Sequence, residues 1–380
     1  MHFGLSDDEK ALQETARKFA REVMRPKAAH CDETSTFPKD IIKQASDLGL
    51  MNLTIPAEFG GMELPHVAQA IVTEELAWGC SGMCTSMIAN DLALLPIEIG
   101  GSKDQKERFL RPFTTGFRLA SFGLTEPAAG SDVAGMRCTA RREGDHYVVN
   151  GQKQWITNGE FADQYTLFCT TDKTRRHKGI MAIVIEGRPK GFSTGKHENK
   201  MGQRASNTVT LNFEDVKVPV ANRIGQEGEG FLIAMATLDN SRPLTAMVAI
   251  GIARAAMEHA IDYSKQRTQF GKPIADFQAI QFMIADMASD IEASRLLTYK
   301  SAWLLDDGQR NTLISSYAKR FSADMGMKAT TDAVQIFGGY GYSREYPVEK
   351  LMRDSKLIQI YEGTSQIQRL VIARELLKGS

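Results

Sequence analysis

From about residue 226 to the end, the chain carries three long stretches with few turn residues: FLIAMATLDNSRPLTAMVAIGIARAAMEHAIDYSKQR, DFQAIQFMIADMASDIEASRLLTYKSAWLL and NTLISSYAKRFSADMGMKATTDAVQIFGG. All are too long for strands and rich in Ala and Met, the composition of helices packed on helices. Pro243, early in the first stretch, predicts a bend or a restart. Residues 1–117 also have a helical period: Ser6 is placed to cap a helix on which Ala11, Leu12, Ala16, Phe19 and Ala20 recur on one side. PAEFGGMELP (Pro56–Pro65) reads as a loop, and HVAQAIVTEELAW resumes the helix.

Between about 118 and 225 the texture changes. HYVVNGQKQWI places apolar residues on both sides of Asn150-Gly151, which predicts a two-residue hairpin. YTLFCTT, GIMAIVIEG and NTVTLNFEDVKVP are short β-rich runs divided by Gly, Pro and charged turns. The expected architecture is mainly α with an inserted antiparallel β-domain, divided as 1–117, 118–225 and 226–380.

Lys plus Arg equals Asp plus Glu at 46 each, so no net field favours nucleic acid or an anionic membrane. A phosphate-bearing partner must therefore be held by local donors. The five cysteines (Cys31, Cys80, Cys84, Cys138, Cys169) are scattered and odd in number, which argues against a disulfide framework and suits a reducing cytoplasm. Cys80 and Cys84 lack a second Cys or His pair and read as buried small side chains rather than metal ligands. The N-terminus shows no signal h-region and enters an amphipathic helix directly. No apolar run is expected to span a bilayer. A soluble cytoplasmic protein is the expectation.

Four clusters and one acid carry the chemistry. LTEPAAGSDVAG (Leu124–Gly135) offers the hydroxyls of Thr125 and Ser131 and exposed backbone N–H groups, a cradle for an anion or a flat heterocycle edge, or else a plain turn. WITNG (Trp155–Gly159) offers a stacking face and a donor in Thr157, although a buried Trp is often simply core. In QRTQFGKPIADFQAIQ, Arg267 can meet a pyrophosphate bidentately and Phe270 can stack. The alternative there is a helix end with a surface arginine. DAVQIFGGYGYSREYPVEKLMRD permits close backbone approach at Gly338, Gly339 and Gly341, but it follows a helix, so a Rossmann reading fails. The acid is Glu362 in LIQIYEGTSQIQRL. It is either a solvated cap of the last helix or a base in an apolar pocket, where desolvation raises its pKa toward the working range.

In order and wording, TEPAAGSDVAG, NGQKQWITNG, MGQRASNT, FEDVKVP, QRTQFGKPIADFQAIQ, DAVQIFGGYG, YPVEKLMRD and IYEGTSQIQR resemble the acyl-CoA dehydrogenase family over essentially the whole chain, most of all its short- and medium-chain branch. The resemblance implies N-terminal helices, a middle β-domain, a C-terminal four-helix bundle, bound FAD and a homotetramer. It implies that Thr125 and Ser131 bond the flavin, with Ser131 also near substrate, and that Trp155 and Thr157 cover another part of the ring. Arg267, Phe270, Gln278, Gln335 and Gly339 would reach the adenine–pyrophosphate half of a neighbouring subunit's FAD, and Thr364 and Gln366 would touch FAD as well. Arg242, with Asp239 beside it, would lie near the CoA moiety; its alternative is a surface charge at a helix start.

The resemblance makes Glu362 the base that removes the thioester's α-proton while the β-hydrogen leaves as hydride. A flavin ribityl hydroxyl and the Glu362 N–H would stabilise the enolate-like charge. Gly363 would let that backbone approach, and Tyr361 would wall the cavity. Some branches carry the base on the helix around LDNSRP, but here that place is Ser241. The resemblance further implies an acyl-CoA thioester substrate and an electron-transfer flavoprotein as acceptor. An acyl-CoA oxidase, or a relative catalysing another elimination, is the alternative enzyme; a helical scaffold without chemistry is the alternative outside enzymes.

One stretch departs from the pattern. SMIANDLALLPIEIGG (Ser86–Gly101) lines the acyl pocket in the family, and here Asp91 stands where straight-chain members carry a small hydroxyl, with Leu94 where a polar residue can occur. Asp91 is either a helix-interior carboxylate with a partner or a second acid beside an unusual acyl group, such as a cyclohexane- or cyclohexene-carboxyl thioester. A carboxylate in a lipid-like slot is costly unless paired or used.

Overall fold

The computed structural model describes residues 4–378. The N-terminal helices are α1 (Asp7–Phe19), α2 (Arg25–Thr34), α3 (Lys39–Asp47), α4 (His66–Gly100) and α5 (Lys103–Phe109). Ser6 caps α1 in a reciprocal box: its hydroxyl accepts from the Glu9 N–H at 3.2 Å, and Glu9 accepts from the Ser6 N–H at 2.7 Å. α4 is nearly all buried and breaks once, at Cys80, whose φ of −165° and ψ of 110° are extended.

The strands follow: β1 (Ala120–Gly123), β2 (Thr139–Glu143), β3 (His146–Thr157), β4 (Gln164–Thr170), β5 (Ile180–Glu186), β6 (Phe192–Thr194), β7 (Thr208–Pro219) and β8 (Arg223–Ile224). They form one sheet in the order β6-β7-β3-β2-β4-β5-β8, antiparallel for the most part, with β1 alongside β4 in parallel. β2 also runs parallel to β4. The predicted hairpin at Asn150-Gly151 is instead a bulge inside β3, which pairs with β7 on both sides of it. There Gly151 has a φ of 135° and passes so close to Cys138 that a Cβ would lie 2.8 Å from its Cα. Asn150 exchanges two 2.9 Å bonds with Asp215 across the strands. The turn comes one step earlier, at Gly144-Asp145, where Glu143 pairs with His146.

The rest is helical: α6 (Gly230–Gln266), a short hairpin of β9 (Thr268–Gln269) and β10 (Lys272–Pro273), α7 (Gln278–Asp306), α8 (Thr312–Phe337), α9 (Val348–Lys356) and α10 (Ser365–Leu377). Pro243 does not restart α6, which runs through it for 37 residues. By length and apolarity α6 could cross a bilayer, contrary to the expectation for this chain, but 72% of its most apolar window is buried inside the protein. Its neighbours α4 and α8 supply the cover, and the main core is built where the three meet.

The five cysteines are free and buried, and no metal-holding group of His, Cys, Asp or Glu occurs among the described residues. Cys138 and Cys169 touch as thiols at 3.6 Å. Buried acids on α4 are matched by arginines from three other helices. Glu75 takes Arg17 at 2.8 Å and Arg254, and Glu74 takes Arg254 and Arg295, each at 2.9 Å. Burial works against the Glu75 carboxylate, but hydrogen bonds from Arg254 and Arg17 outweigh it and hold the group below its usual range.

At the α4–α6 crossing a Cβ on Gly251 would sit 2.5 Å from the Glu74 carbonyl oxygen and 2.8 Å from the Trp78 nitrogen, both backbone atoms. Gly251→Val therefore destabilises the fold by about 1–3 kcal/mol or more, read as a lower thermal midpoint. Gly116→Ala, whose Cβ would meet nothing within 4 Å, serves as the neutral control.

Candidate active site

Glu362 stands in the irregular turn between α9 and α10, where Gly363 and Thr364 lead into the final helix. Thr364 caps α10 by accepting from the Ile367 N–H at 3.1 Å, so the cap belongs to Thr364 and leaves the acid two residues earlier free of that task. Glu362 has a φ of 52°, a left-handed conformation that is costly for a side chain of its size. Trp155 (φ 63°) and Phe270 (φ 53°) share this strain among the residues singled out from sequence. Backbone held this way persists only where its surroundings over-determine it.

Those surroundings are visible. The Ser241 hydroxyl on α6 donates to Glu362 Oε2 at 2.6 Å. The Gln368 side-chain amide donates to the carbonyls of Glu362 and Gly363, each at 3.2 Å. Lys319, on α8 and fully buried, donates to the Gly363 carbonyl at 2.6 Å. The Glu362 N–H finds no acceptor among the described residues, so it is available to an incoming group.

The acid is half-buried, with enough protein around it to impede hydration. Burial pushes its pKa upward; the Ser241 and Thr245 hydroxyls, then the charges of Lys319 and Arg242, pull it back in part. Arg242 is buried next to Asp239, with which it forms an ion pair, and its Nε has no partner. Burial lowers the pKa of this guanidinium, and Asp239 and Glu362 oppose that. Asp239 is itself fixed by the Thr312 hydroxyl at 2.6 Å. The Tyr361 hydroxyl is a second orphaned polar atom, next to the Thr85–Gln203 hydrogen bond of 2.7 Å. Both unpaired atoms are buried beside the acid's own segment.

The other expected residues fall into two further places. Thr125 lies in a loop pinned to β3, its carbonyl accepting from the Gln154 N–H at 2.9 Å. Under it, Lys153 and Glu126 form a buried pair at 2.7 Å, and Glu126 also accepts from the N–H groups of Arg137 and Cys138. This anchor aims the neighbouring Trp155, which is 58% exposed rather than core, and Thr157. Ser131 is at the surface of the same loop. Arg267 and Gly339 line a cleft of about 480 Å³ with Tyr263, Gln269 and Tyr340, and Arg267 lies over the Tyr340 ring. Phe270, 94% exposed, Gln278 and Gln335 are on the surface, as is Gln366 on α10. No hydrogen bond or ring contact joins these two groups within the protomer. A larger cleft, about 620 Å³ between Arg108, Arg118 and Arg188, contains none of the expected residues.

Asp91 is buried at 2% exposure on α4. It accepts from the Thr54 N–H at 3.3 Å, and Thr54 donates to Glu98 at 2.7 Å. It has no hydrogen bond to the Glu362 group. Leu94 is packed fully inside on the same helix. Burial raises Asp91 and Glu98 to about 7 each, because no cation compensates them at close range. Tyr361 abuts α4 at Thr85, and Asp91 lies six residues further, roughly 9 Å along the axis at 1.5 Å per residue.

Ser241, Thr245, Lys319 and Gln368 were not singled out from sequence as partners of the acid. Ser241 is legible only as unable to act as a base. Lys319 leaves one faint mark, a lysine among the small residues of the buried face of α8.

The domain models of the acyl-CoA dehydrogenase family match the chain in order: the N-terminal domain over residues 6–117, the middle domain over 121–216 and the C-terminal domain over 228–377. The chain is 44% identical over 380 residues to the short-chain specific acyl-CoA dehydrogenase of Clostridium acetobutylicum, covering 100% of both. It is 45% identical over 375 residues to the cyclohex-1-ene-1-carbonyl-CoA dehydrogenase of Geobacter metallireducens, covering 98% of this chain and 99% of the relative. The solved butyryl-CoA dehydrogenase of Megasphaera elsdenii superposes with a TM-score of 0.97 at 42% identity, covering 100% of both chains. The chain thus belongs to the acyl-CoA dehydrogenase family of oxidoreductases.

Replacing Ser241 by Ala removes a donor that favours the ionised acid, so the Glu362 carboxyl should titrate at higher pH. Infrared titration of its protonated C=O band, identified by its loss in Glu362→Gln, measures this; an unmoved midpoint would deny Ser241 that influence.

Proposed function

We propose that this enzyme dehydrogenates a short or alicyclic acyl-CoA thioester, with Glu362 taking the proton α to the thioester carbonyl. The observation that carries the reading is the strained, part-desolvated carboxylate of Glu362, held by one hydroxyl and flanked by a free N–H. A base is most effective when its pKa approaches the working pH, and burial moves Glu362 that way. Proton removal leaves negative charge on the thioester oxygen, and the unclaimed Glu362 N–H is a donor for it. Gly363 (φ 87°) gives the turn its shape, and Tyr361 helps keep water from the acid. The pair of Arg242 and Asp239, with the unused Arg242 Nε, suits a polar part of the CoA chain.

The family is one of flavoproteins, and the residues present fit FAD. Thr125, Ser131 and Thr157 supply hydroxyls, and the exposed faces of Trp155 and Phe270 supply apolar cover. Gly338 and Gly339, with open space where a Cβ would be, allow close approach beside Arg267. When bound, FAD supplies the acceptor for the β-hydride. Because the Trp155 and Arg267 groups do not meet within the protomer, we propose that Arg267, Phe270, Gln278, Gln335 and Gly339 serve a neighbouring subunit's FAD in a homotetramer. Thr364 and Gln366 complete the FAD contacts, and an electron-transfer flavoprotein is the proposed acceptor of the electrons.

The alicyclic reading rests on Asp91. Its hydrogen-bonding neighbours are neutral, Thr54 and the backbone of Leu53, so a full carboxylate charge is poorly compensated there, and it titrates near neutrality. Such a group is suited to exchanging a proton with a ring carbon beyond the α position.

Glu362→Gln should retain bound FAD yet lose anaerobic flavin bleaching by roughly a thousand-fold, within the range of general-base contributions. Bleaching at the wild-type rate would remove Glu362 from the mechanism. Asp91→Ala should depress bleaching by cyclohexane- and cyclohexenecarboxyl thioesters far more than by butyryl or hexanoyl thioester. An equal effect on all four would return Asp91 to a structural role.

A further inference from the structure

The buried ammonium of Lys319 is not explained by packing. It is fully buried on α8, has three protons to donate, and has one acceptor, the neutral carbonyl of Gly363. No carboxylate comes within ion-pair distance of it among the described residues. Burying an ammonium against a lone carbonyl is costly, and an apolar side chain in its place would fit the core more cheaply.

The charged groups facing Lys319 are few. Asp324, one turn further along α8, is already engaged by Arg369 at 2.7 Å, Gln359 at 2.9 Å and Ser365 at 3.1 Å. Arg242, across on α6, repels it and is committed to Asp239. Glu362 remains, an acid whose carboxylate is met by neutral hydroxyls, with Ser241 donating at 2.6 Å. We propose that Lys319 is a positioning residue for Glu362: it clamps the carbonyl of the residue after the base and supplies the positive charge that the carboxylate faces. This rests on Glu362 being the base.

Two mechanical details agree. The turn at Glu362 and Gly363 is left-handed at both residues, with φ of 52° and 87°, and needs outside support. Lys319 and the Gln368 amide converge on the two carbonyls of that turn from different helices, so the direction of the carboxylate is set by bonds rather than by a helix.

Burial lowers Lys319 to about 7, with Glu362 opposing and Arg242 assisting that shift. Its charge is therefore present at and below neutral pH and fades as pH rises through that value. Burial also shifts Glu362 toward its protonated form, which cannot accept a proton. Removing the ammonium raises the ionisation midpoint of Glu362 further, and the loss is greatest on the acid side.

The test uses Lys319→Met, which removes both charge and donor, and Lys319→Gln, which keeps a donor without charge. Both are studied as FAD-loaded enzyme by anaerobic bleaching with the best thioester substrate from pH 6 to about 9.5. At the acid end of that range both variants should be slower than wild type by about ten-fold, with the gap narrowing toward the alkaline end. Lys319→Gln should recover part of the alkaline rate through its donor. A loss uniform in pH, or no loss, in the Gln variant would overturn the proposal, and this arm stands even where the Met variant does not fold. Wild-type bleaching by Glu362→Gln would instead sink the underlying assignment, whatever the lysine variants do.

Discussion

The structure depends on the direct packing of α4 against α6, two helices of 35 and 37 residues buried through most of their length. Their approach is set by Gly251, which leaves no room for a side chain, and by the acids of α4 that meet arginines from α1, α6 and α7. Buried ion pairs of this kind contribute little net stability against an apolar alternative, but losing one partner strands a charge in the interior. The consequence is register: the helices can slide or rotate only by breaking the pairs.

That register serves the site. Ser241 and Arg242 come from α6, Lys319 from α8, Thr85 and Asp91 from α4, and Glu362 from the turn before α10. An acid carried on an irregular turn gains freedom of direction and loses the rigidity a helix would supply. Bonds from Lys319, Gln368 and Ser241 restore it. The same tension between desolvation and nearby donors governs the acid's ionisation. It also separates Glu362 from Asp91, which has a hydroxyl and an N–H from Thr54 but no cation close by.

Much of the fold was legible in local patterns. The Ser6 cap, the β texture of the middle region and the apolar helical stretches after residue 226 all recur in the structure, because each is decided within one or two turns of chain. Two local signals misled. Asn150-Gly151 has the composition of a hairpin turn, but its outcome depended on β7, which pairs with β3 on both sides of it and makes the dipeptide a bulge. Pro243 disfavours a continuous helix, yet α6, covered by α4 and α8, continues through that position without a restart.

The residue types and order along the chain determined the family, the helical and β regions, and the identity of the acid at Glu362, since composition, period and motif wording are properties of neighbours in sequence. Tertiary structure alone decided what surrounds that acid. Ser241 lies 121 residues away and Lys319 is joined to the turn from 44 residues away, and neither motif wording nor helical period records such a contact. It also decided that Asp91 faces Thr54 and Glu98 rather than an opposite charge. Ionisation depends on distance and burial, and both exist only once the chain has folded.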